Sequence, residues 1–313
     1  MPAADTYIQP TLLVLTGPTG VGKTELSLRL AEHFGCPVVS ADSRQIFREI
    51  PIGTAAPTAE EQARVQHYFV GTKSVSEDYN AGQYERDALA LLQTLFLQHS
   101  VVVLTGGSML YIDAVCNGFD DIPSVSSDLR EQVKNEYQAK GLAWLQTEVQ
   151  HLDPTYWAEA DRQNPQRLLH CVEICRAAGK PFSSFRSRTR TARPFRIVKV
   201  GLNRPREELY TRINLRVEQM MAQGLLEEAR SVYPLRHKNS LQTVGYRELF
   251  AYIDGQYTLP KAVEMIQQNS RHYAKRQMTW FNRDTTIHWL NADSDYETQL
   301  HTVIDWLCAD GVQ

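Results

Sequence analysis

The chain has 313 residues, 42% of them apolar, five cysteines and a net charge of −3. That is enough apolar material for a substantial core, built as one elaborated domain or two smaller ones. The longest apolar runs, around 11–15 and 100–104, are far too short to cross a bilayer, and no signal-like leader opens the sequence. A cytoplasmic, non-membrane protein is therefore expected.

The first element is the apolar strand Leu12-Leu13-Val14-Leu15, followed by Gly17-Pro18-Thr19-Gly20-Val21-Gly22-Lys23-Thr24. The spacing of Gly17, four residues, then Gly22-Lys23-Thr24 fits a phosphate-binding loop, whose small residues let backbone N–H groups wrap phosphate oxygens while the lysine supplies charge. Leu26, Leu30 and Phe34 give the next segment a helical stripe and Gly35 ends it. A helix starting there adds its positive dipole end.

Two more short strands end in polar groups: Val38-Val39 in Ser40-Ala41-Asp42-Ser43, and Val101–Leu104 in Thr105-Gly106-Gly107-Ser108. Helical patterns separate them, notably over 80–98. Such alternation predicts an α/β fold, a P-loop NTPase-like parallel sheet flanked by helices, with ligands beyond the carboxyl ends of the strands. All three polar groups then share one rim.

After Tyr111 the character changes. Residues 128–178 read as successive helices broken at Gly141, Pro154 and Pro165, and the next strand-like run is Arg196–Leu202, which returns the chain to the sheet. The expected organisation is a catalytic core over 1–116 and 196–313 with an all-helical insertion over 117–195. Further helices are expected from Pro205 to Gly224 and over 225–231, 242–252, 260–282 and 294–308, the last opened by a capping box from Ser294 to Glu297. A late strand is expected at Thr286–Leu290.

Charge is uneven along the chain. From 162 to 206 twelve Lys and Arg face Glu173 alone, a local balance of +11, interleaved with Phe182, Phe185 and Phe195. That pattern favours a polyanion partner. Cys171 and Cys175 lie one helical turn apart beside His170, but two thiols without further spaced ligands read as core packing, and the odd cysteine count without a C-x-x-C pair indicates neither disulfides nor zinc.

The loop alone does not name a reaction, since motors, switches and small-molecule kinases share it. The third strand ends in Thr-Gly-Gly-Ser where a motor ATPase normally places a metal-orienting acid. Asp42 stands where a carboxylate can take a proton from a nucleophile, with metal ligation through water or simple capping as rival roles. Arg212 and Arg216, a turn apart with Glu208 a turn earlier, fit either a surface ladder of ion pairs or the binding of a leaving diphosphate. On these residues alone a nucleoside or metabolite kinase competes evenly with an alkyl-transferring enzyme, and a nucleotide-binding RNA-interaction module without chemistry is a third reading.

Seven segments together resemble the motifs of the tRNA dimethylallyltransferase family in order: 17–24, 42–47, 52–57, 106–111, 164–169, 244–249 and 271–280. The resemblance implies an enzyme, a prenyltransferase that moves the dimethylallyl group from dimethylallyl diphosphate to N6 of the adenosine immediately 3′ of the anticodon (position 37), releasing diphosphate. It implies that residues Gly17 to Thr24 hold the diphosphate with Mg2+ near Thr24, that Asp42 accepts the amine proton, and that Arg212 binds the leaving group. It implies tRNA contacts from Asp42, Ser43, Arg44, Gln45, Ser108, Arg130, Gln166, Arg167, Gln242, Gly245 and Arg247, with the basic insertion gripping the anticodon stem and loop. No obligate protein partner is implied. Three positions depart from the family pattern: Ala56 stands for a common lysine, Ser108 for a threonine and His170 for an arginine. The zinc-finger tail of eukaryotic relatives is not expected, in keeping with the cysteine count.

Overall fold

A computed structural model describes residues 9–118, 122–123, 125–186 and 191–309. Arg188 and Arg190 of the basic run lie outside them. The chain divides into two compact units, one formed by Met1–Cys116 with Arg193–Gln313, the other by Asn117–Ala192.

The first unit is built on six parallel strands, β1 (Thr11–Thr16), β2 (Val38–Ser40), β3 (His67–Tyr68), β4 (Val101–Thr105), β5 (Arg196–Asn203) and β6 (Ile287–Asn291), in the order β3-β2-β4-β1-β5-β6. All six residues of β1 are buried, as expected for a central parallel strand covered on both faces. Its side chains alternate between two cores: Leu13 and Leu15 pack on one face with Leu26, Leu30 and Ile213, while Leu12 and Val14 pack on the other with Tyr84, Leu92 and Ile112.

Helices α1 (Lys23–Phe34), α2 (Ala59–Arg64), α3 (Ala81–Leu95) and α4 (Met109–Asn117) belong to this unit. Asn80 and Gln83 form a reciprocal capping box that starts α3. Leu15 and Ser40 both pair with Thr105, so β1, β4 and β2 end level with one another and their three loops emerge side by side. That register is why the polar groups after these strands share a rim.

The second unit holds α5 (Ser127–Leu152), α6 (Pro154–Glu159) and α7 (Pro165–Ala178). Gly141 interrupts α5 at φ 77°. Val133, Leu145, Val149, Leu168 and Cys171 make its core, and Phe182 is buried there as well. Phe195 is likewise buried, in the sheet of the first unit. These two phenylalanines of the basic run are core residues. Cys171 and Cys175 place their sulfurs 3.9 Å apart beside buried Asp153. The Asp153 carboxylate accepts from Tyr156 N, Ser183 N and Ser183 Oγ at 2.6–2.9 Å, and Cys175 Sγ accepts from Phe182 N. Helix capping and core packing account for the group.

The chain re-enters the first unit at β5 and continues through α8 (Arg206–Ala222), α9 (Leu225–Val232), α10 (Tyr246–Ile253), α11 (Leu259–Phe281) and α12 (Tyr296–Ala309). Helix α10 begins at 246, not 242, because Gly245 turns the backbone to φ 100°. Asp295, rather than Ser294, receives the N-terminal N–H at the start of α12. Among the described residues no helix is long and apolar enough to cross a membrane.

Candidate active site

The loop after β1 is shaped by its neighbours. A Cβ on Gly17 would stand 2.8 Å from Leu202 O, and one on Gly20 would stand 2.9 Å from Ile213 Cγ1, so β5 and α8 permit only glycine at both places. Lys23 opens α1 and folds back across the loop, donating from Nζ to Gly17 O and Pro18 O at 2.9 Å each. Burial, with repulsion from Arg216, pulls its pKa down to about 7 against the pull of Asp42. Thr24, half-buried in the first turn, faces the same cavity.

Helix α8 closes one side of the loop. Arg212 donates from Nε to Gly20 O at 3.0 Å, and Arg216, one turn on, lines the cavity. Burial and then the charge of Arg212 lower the pKa of Arg216. Glu208 pairs with Arg204, so no ladder of ion pairs engages the two arginines among the described residues. The expected diphosphate residue was Arg212, yet Arg212 is exposed and bound to the loop backbone while Arg216 lines the cavity. The one-turn spacing could not tell them apart, because which of the two faces inward depends on how α8 packs.

The opposite side is the rim. Asp42 Oδ1 accepts from Arg44 N at 2.9 Å and Gln45 N at 3.3 Å. Capping a turn thus occupies one carboxylate oxygen, and among the described residues no hydrogen bond engages the other. Ser108 Oγ accepts from Ser43 N at 2.7 Å and donates to Ser43 Oγ. A Cβ on Gly106 would lie 2.2 Å from Ala41 O, so the β2 and β4 ends touch only because that residue is glycine. Gln45 donates to Thr54 O and Ala55 O, and Arg44 donates to Asn239 O and Ser240 O. The polar groups of Ser108, Arg44 and Gln45 thereby hold the rim in shape.

Two residues that sequence reasoning had not assigned, one buried and one half-buried, hold the surrounding loops. Gln277 of α11, 1% exposed, accepts from Thr19 N at 2.9 Å and donates to Gly107 O at 2.8 Å, which joins the phosphate loop to the β4 rim. Glu228 of α9 accepts from Ile52 N and Gly53 N at 2.8 Å each and from the Tyr246 hydroxyl. Both could have been suspected as polar residues on otherwise apolar helical faces, Gln277 between Ala274 and Phe281 and Glu228 between Leu225 and Val232.

The result is a cavity of about 530 Å³ in the first unit. It brings together Thr19, Gly20, Gly22, Lys23, Thr24, Asp42, Ser43, Arg44, Gln45, Ser108, Gln242, Gly245 and Arg247, with Arg216. Gly17, Pro18 and Val21 lie buried in the loop's own fold. Arg130 on α5 and Gln166 and Arg167 on α7 are exposed in the second unit. Burial, then the Arg130 charge, lowers the pKa of His170.

A parallel sheet with this loop and helix at its carboxyl edge defines an α/β protein of P-loop NTPase-like fold. The chain belongs to the IPP transferase family, whose model matches residues 45–284. It is 56% identical over 295 residues to tRNA dimethylallyltransferase 1 of Phocaeicola vulgatus, covering 94% of this chain and 98% of the relative. It is 57% identical over 293 residues to tRNA dimethylallyltransferase 2 of Porphyromonas gingivalis, with 94% and 98% covered. Among solved structures, the full-length tRNA isopentenylpyrophosphate transferase of Bacillus halodurans superposes with a TM-score of 0.71 at 32% identity over 97% of each chain. A eukaryotic dimethylallyltransferase acting on tRNA shares the fold, with a TM-score of 0.80 at 20% identity over 96% of this chain and 80% of its own.

Proposed function

We propose that this chain transfers the dimethylallyl group of dimethylallyl diphosphate to N6 of the adenosine immediately 3′ of the anticodon of tRNA. The observation that carries the reading is a single cavity with cations and a phosphate loop on one side and a carboxylate with one uncommitted oxygen on the other. Family membership and the names of the relatives support it. In the reaction the C1–O bond of the allylic diphosphate breaks and the N6–C1 bond forms. The N6 proton passes to Asp42, and diphosphate remains with the loop N–H groups, Lys23 and Arg216. The target base leaves its stack to enter the cavity. A cytoplasmic location goes with such a substrate.

Thr24 is a hard oxygen donor on the cavity and, with the oxygens of a bound diphosphate, suits Mg2+. Bound there, Mg2+ would offset negative charge on the departing diphosphate. Arg216 adds fixed positive charge, Lys23 is favoured in its charged form when a diphosphate binds beside it, and Gln277 keeps the loop at its distance from the β4 rim.

The test is incubation with unmodified tRNA and Mg2+, with either dimethylallyl diphosphate or ATP, followed by mass analysis of the nucleosides. A five-carbon gain on adenosine that needs the allylic donor is expected. Phosphate transfer from ATP to a small molecule, without that gain, would replace this reading with a kinase.

A further inference from the structure

The catalytic cavity changes character along its length. On α8 it is lined by Ile213 and Arg216 beside the phosphate loop, then by Val217 and Met220. On α11 it is lined by Gln277 and Tyr273, then by Ser270 and Ile266. The two helices run antiparallel, since Arg271 donates to Asn214 Oδ1 at 2.6 Å while Gln267 donates to Glu218 Oε1 at 3.5 Å. Both walls therefore turn apolar in the same direction, away from the phosphate loop.

Leu225, which opens α9, lines the cavity too, and Val217, Leu225 and Ile266 are buried in the core packed with Tyr246. Among the described residues nothing on α11 before Ile266 lines the cavity, and nothing between Met220 and Leu225 does. The backbone oxygens of Thr54 and Ala55, on the loop that Glu228 ties to α9, already accept from Gln45. A ligand that reaches Val217, Met220, Leu225 and Ile266 thus meets hydrocarbon and a thioether, which favour an apolar group. Arg216 and Met220 are one turn apart, about 6 Å along the axis. That is room for one five-carbon branch beyond a diphosphate held at Arg216, and not for a second isoprene unit.

We infer that Met220, with Leu225, is the stop that limits the allylic donor to a single isoprene unit. The inference rests on the proposed dimethylallyl transfer and names the residues that set its donor length. A five-carbon tail fills the apolar end and leaves C1 between the phosphate loop and Asp42. A ten-carbon tail has to displace Met220 or leave the apolar end, and in the second case C1 moves away from the nucleophile.

The experiment compares dimethylallyl diphosphate, geranyl diphosphate and inorganic diphosphate on the full chain with Mg2+, by calorimetry for affinity and by mass analysis of tRNA nucleosides for transfer. The parent is expected to bind geranyl diphosphate at least about tenfold more weakly than dimethylallyl diphosphate. Met220→Ala should close that gap and give a ten-carbon gain on adenosine, whereas Met220→Phe should weaken dimethylallyl diphosphate on the order of tenfold. Both variants should bind inorganic diphosphate like the parent, because that ligand reports only the phosphate loop and its cations. The substitutions change volume in opposite senses at a half-buried position, so either one that keeps inorganic diphosphate affinity decides the question. An unchanged preference between the allylic donors in Met220→Ala, or unchanged dimethylallyl diphosphate affinity in Met220→Phe, would overturn the inference. A parent that binds the allylic diphosphates as expected and alkylates no adenosine would remove the proposed function and leave the donor stop standing.

Discussion

Arg216 in the first unit and Arg176 in the second are both half-buried, yet they are treated differently. Arg176 lies between Glu136 at 2.9 Å and Glu148 at 2.7 Å, and their hydrogen bonds raise its pKa despite burial. Arg216 makes no ion pair among the described residues: burial and then Arg212 lower its pKa, Lys23 is a further cationic neighbour, and Glu61 opposes the shift without forming a salt bridge. A half-buried cation with carboxylates around it is a structural clamp. One kept beside other cations at the edge of a cavity awaits a negative charge from outside the protein.

The comparison can be broken at its centre or sharpened at its edges. The largest effect belongs to Asp42: Asp42→Ala is expected to lower kcat about 10²- to 10⁴-fold, the range for loss of a general base, with tRNA affinity retained. Turnover close to that of the parent would remove Asp42 from its role. Next, Arg216→Ala should weaken diphosphate binding, measured by calorimetry, on the order of tenfold or more, without lowering the melting temperature of the ligand-free protein. Arg176→Ala should do the reverse, leaving Glu136 and Glu148 unmatched and costing about 1–3 kcal/mol in denaturant unfolding with diphosphate affinity unchanged. Equal effects of both substitutions on both readouts would erase the distinction between clamp and site.

Gln277→Leu tests the tie between the two sides of the cavity. It strands Thr19 N and leaves Gly107 O only the 3.4 Å bond from the Tyr273 hydroxyl, and should cost about 1–3 kcal/mol of stability and raise KM for the allylic diphosphate. The smallest effect concerns pH. Burial alone would raise the Asp284 carboxyl, but its bonds to Lys199 and Thr286 outweigh that and hold it below its ordinary value. The folded state therefore binds this proton less readily than the unfolded one. The stabilisation is complete above the unfolded carboxylate range and is lost as pH falls through the lower folded value. Asp284→Asn should flatten that part of the acid unfolding curve.

The rim was legible because its determinants are local. A phosphate loop, two apolar strands and the polar residues that end them follow one another in sequence, and parallel register then levels them at Thr105. The charge run was less legible, because its partners come from distant sequence. Of its residues, Arg176, Arg186, Arg193, Lys199 and Arg204 pair with Glu136 and Glu148, Glu159, Glu85, Asp284, and Glu208 and Asp293, respectively. Arg196 donates to Leu307 O. A local count of +11 therefore overstated the positive charge free to meet a polyanion. The two-residue strand β3 was too short to show a period, and the reach of Gln277 across 258 residues to Thr19 follows from packing alone.

The central claim is that diphosphate stays in the cavity while carbon moves to nitrogen. It is tested most directly by counting both products of the same reaction, diphosphate released from dimethylallyl diphosphate and alkylated adenosine recovered from tRNA. Equal amounts at every time point, with no need for ATP, are predicted. Alkylated adenosine absent while ATP loses its terminal phosphate would contradict the account.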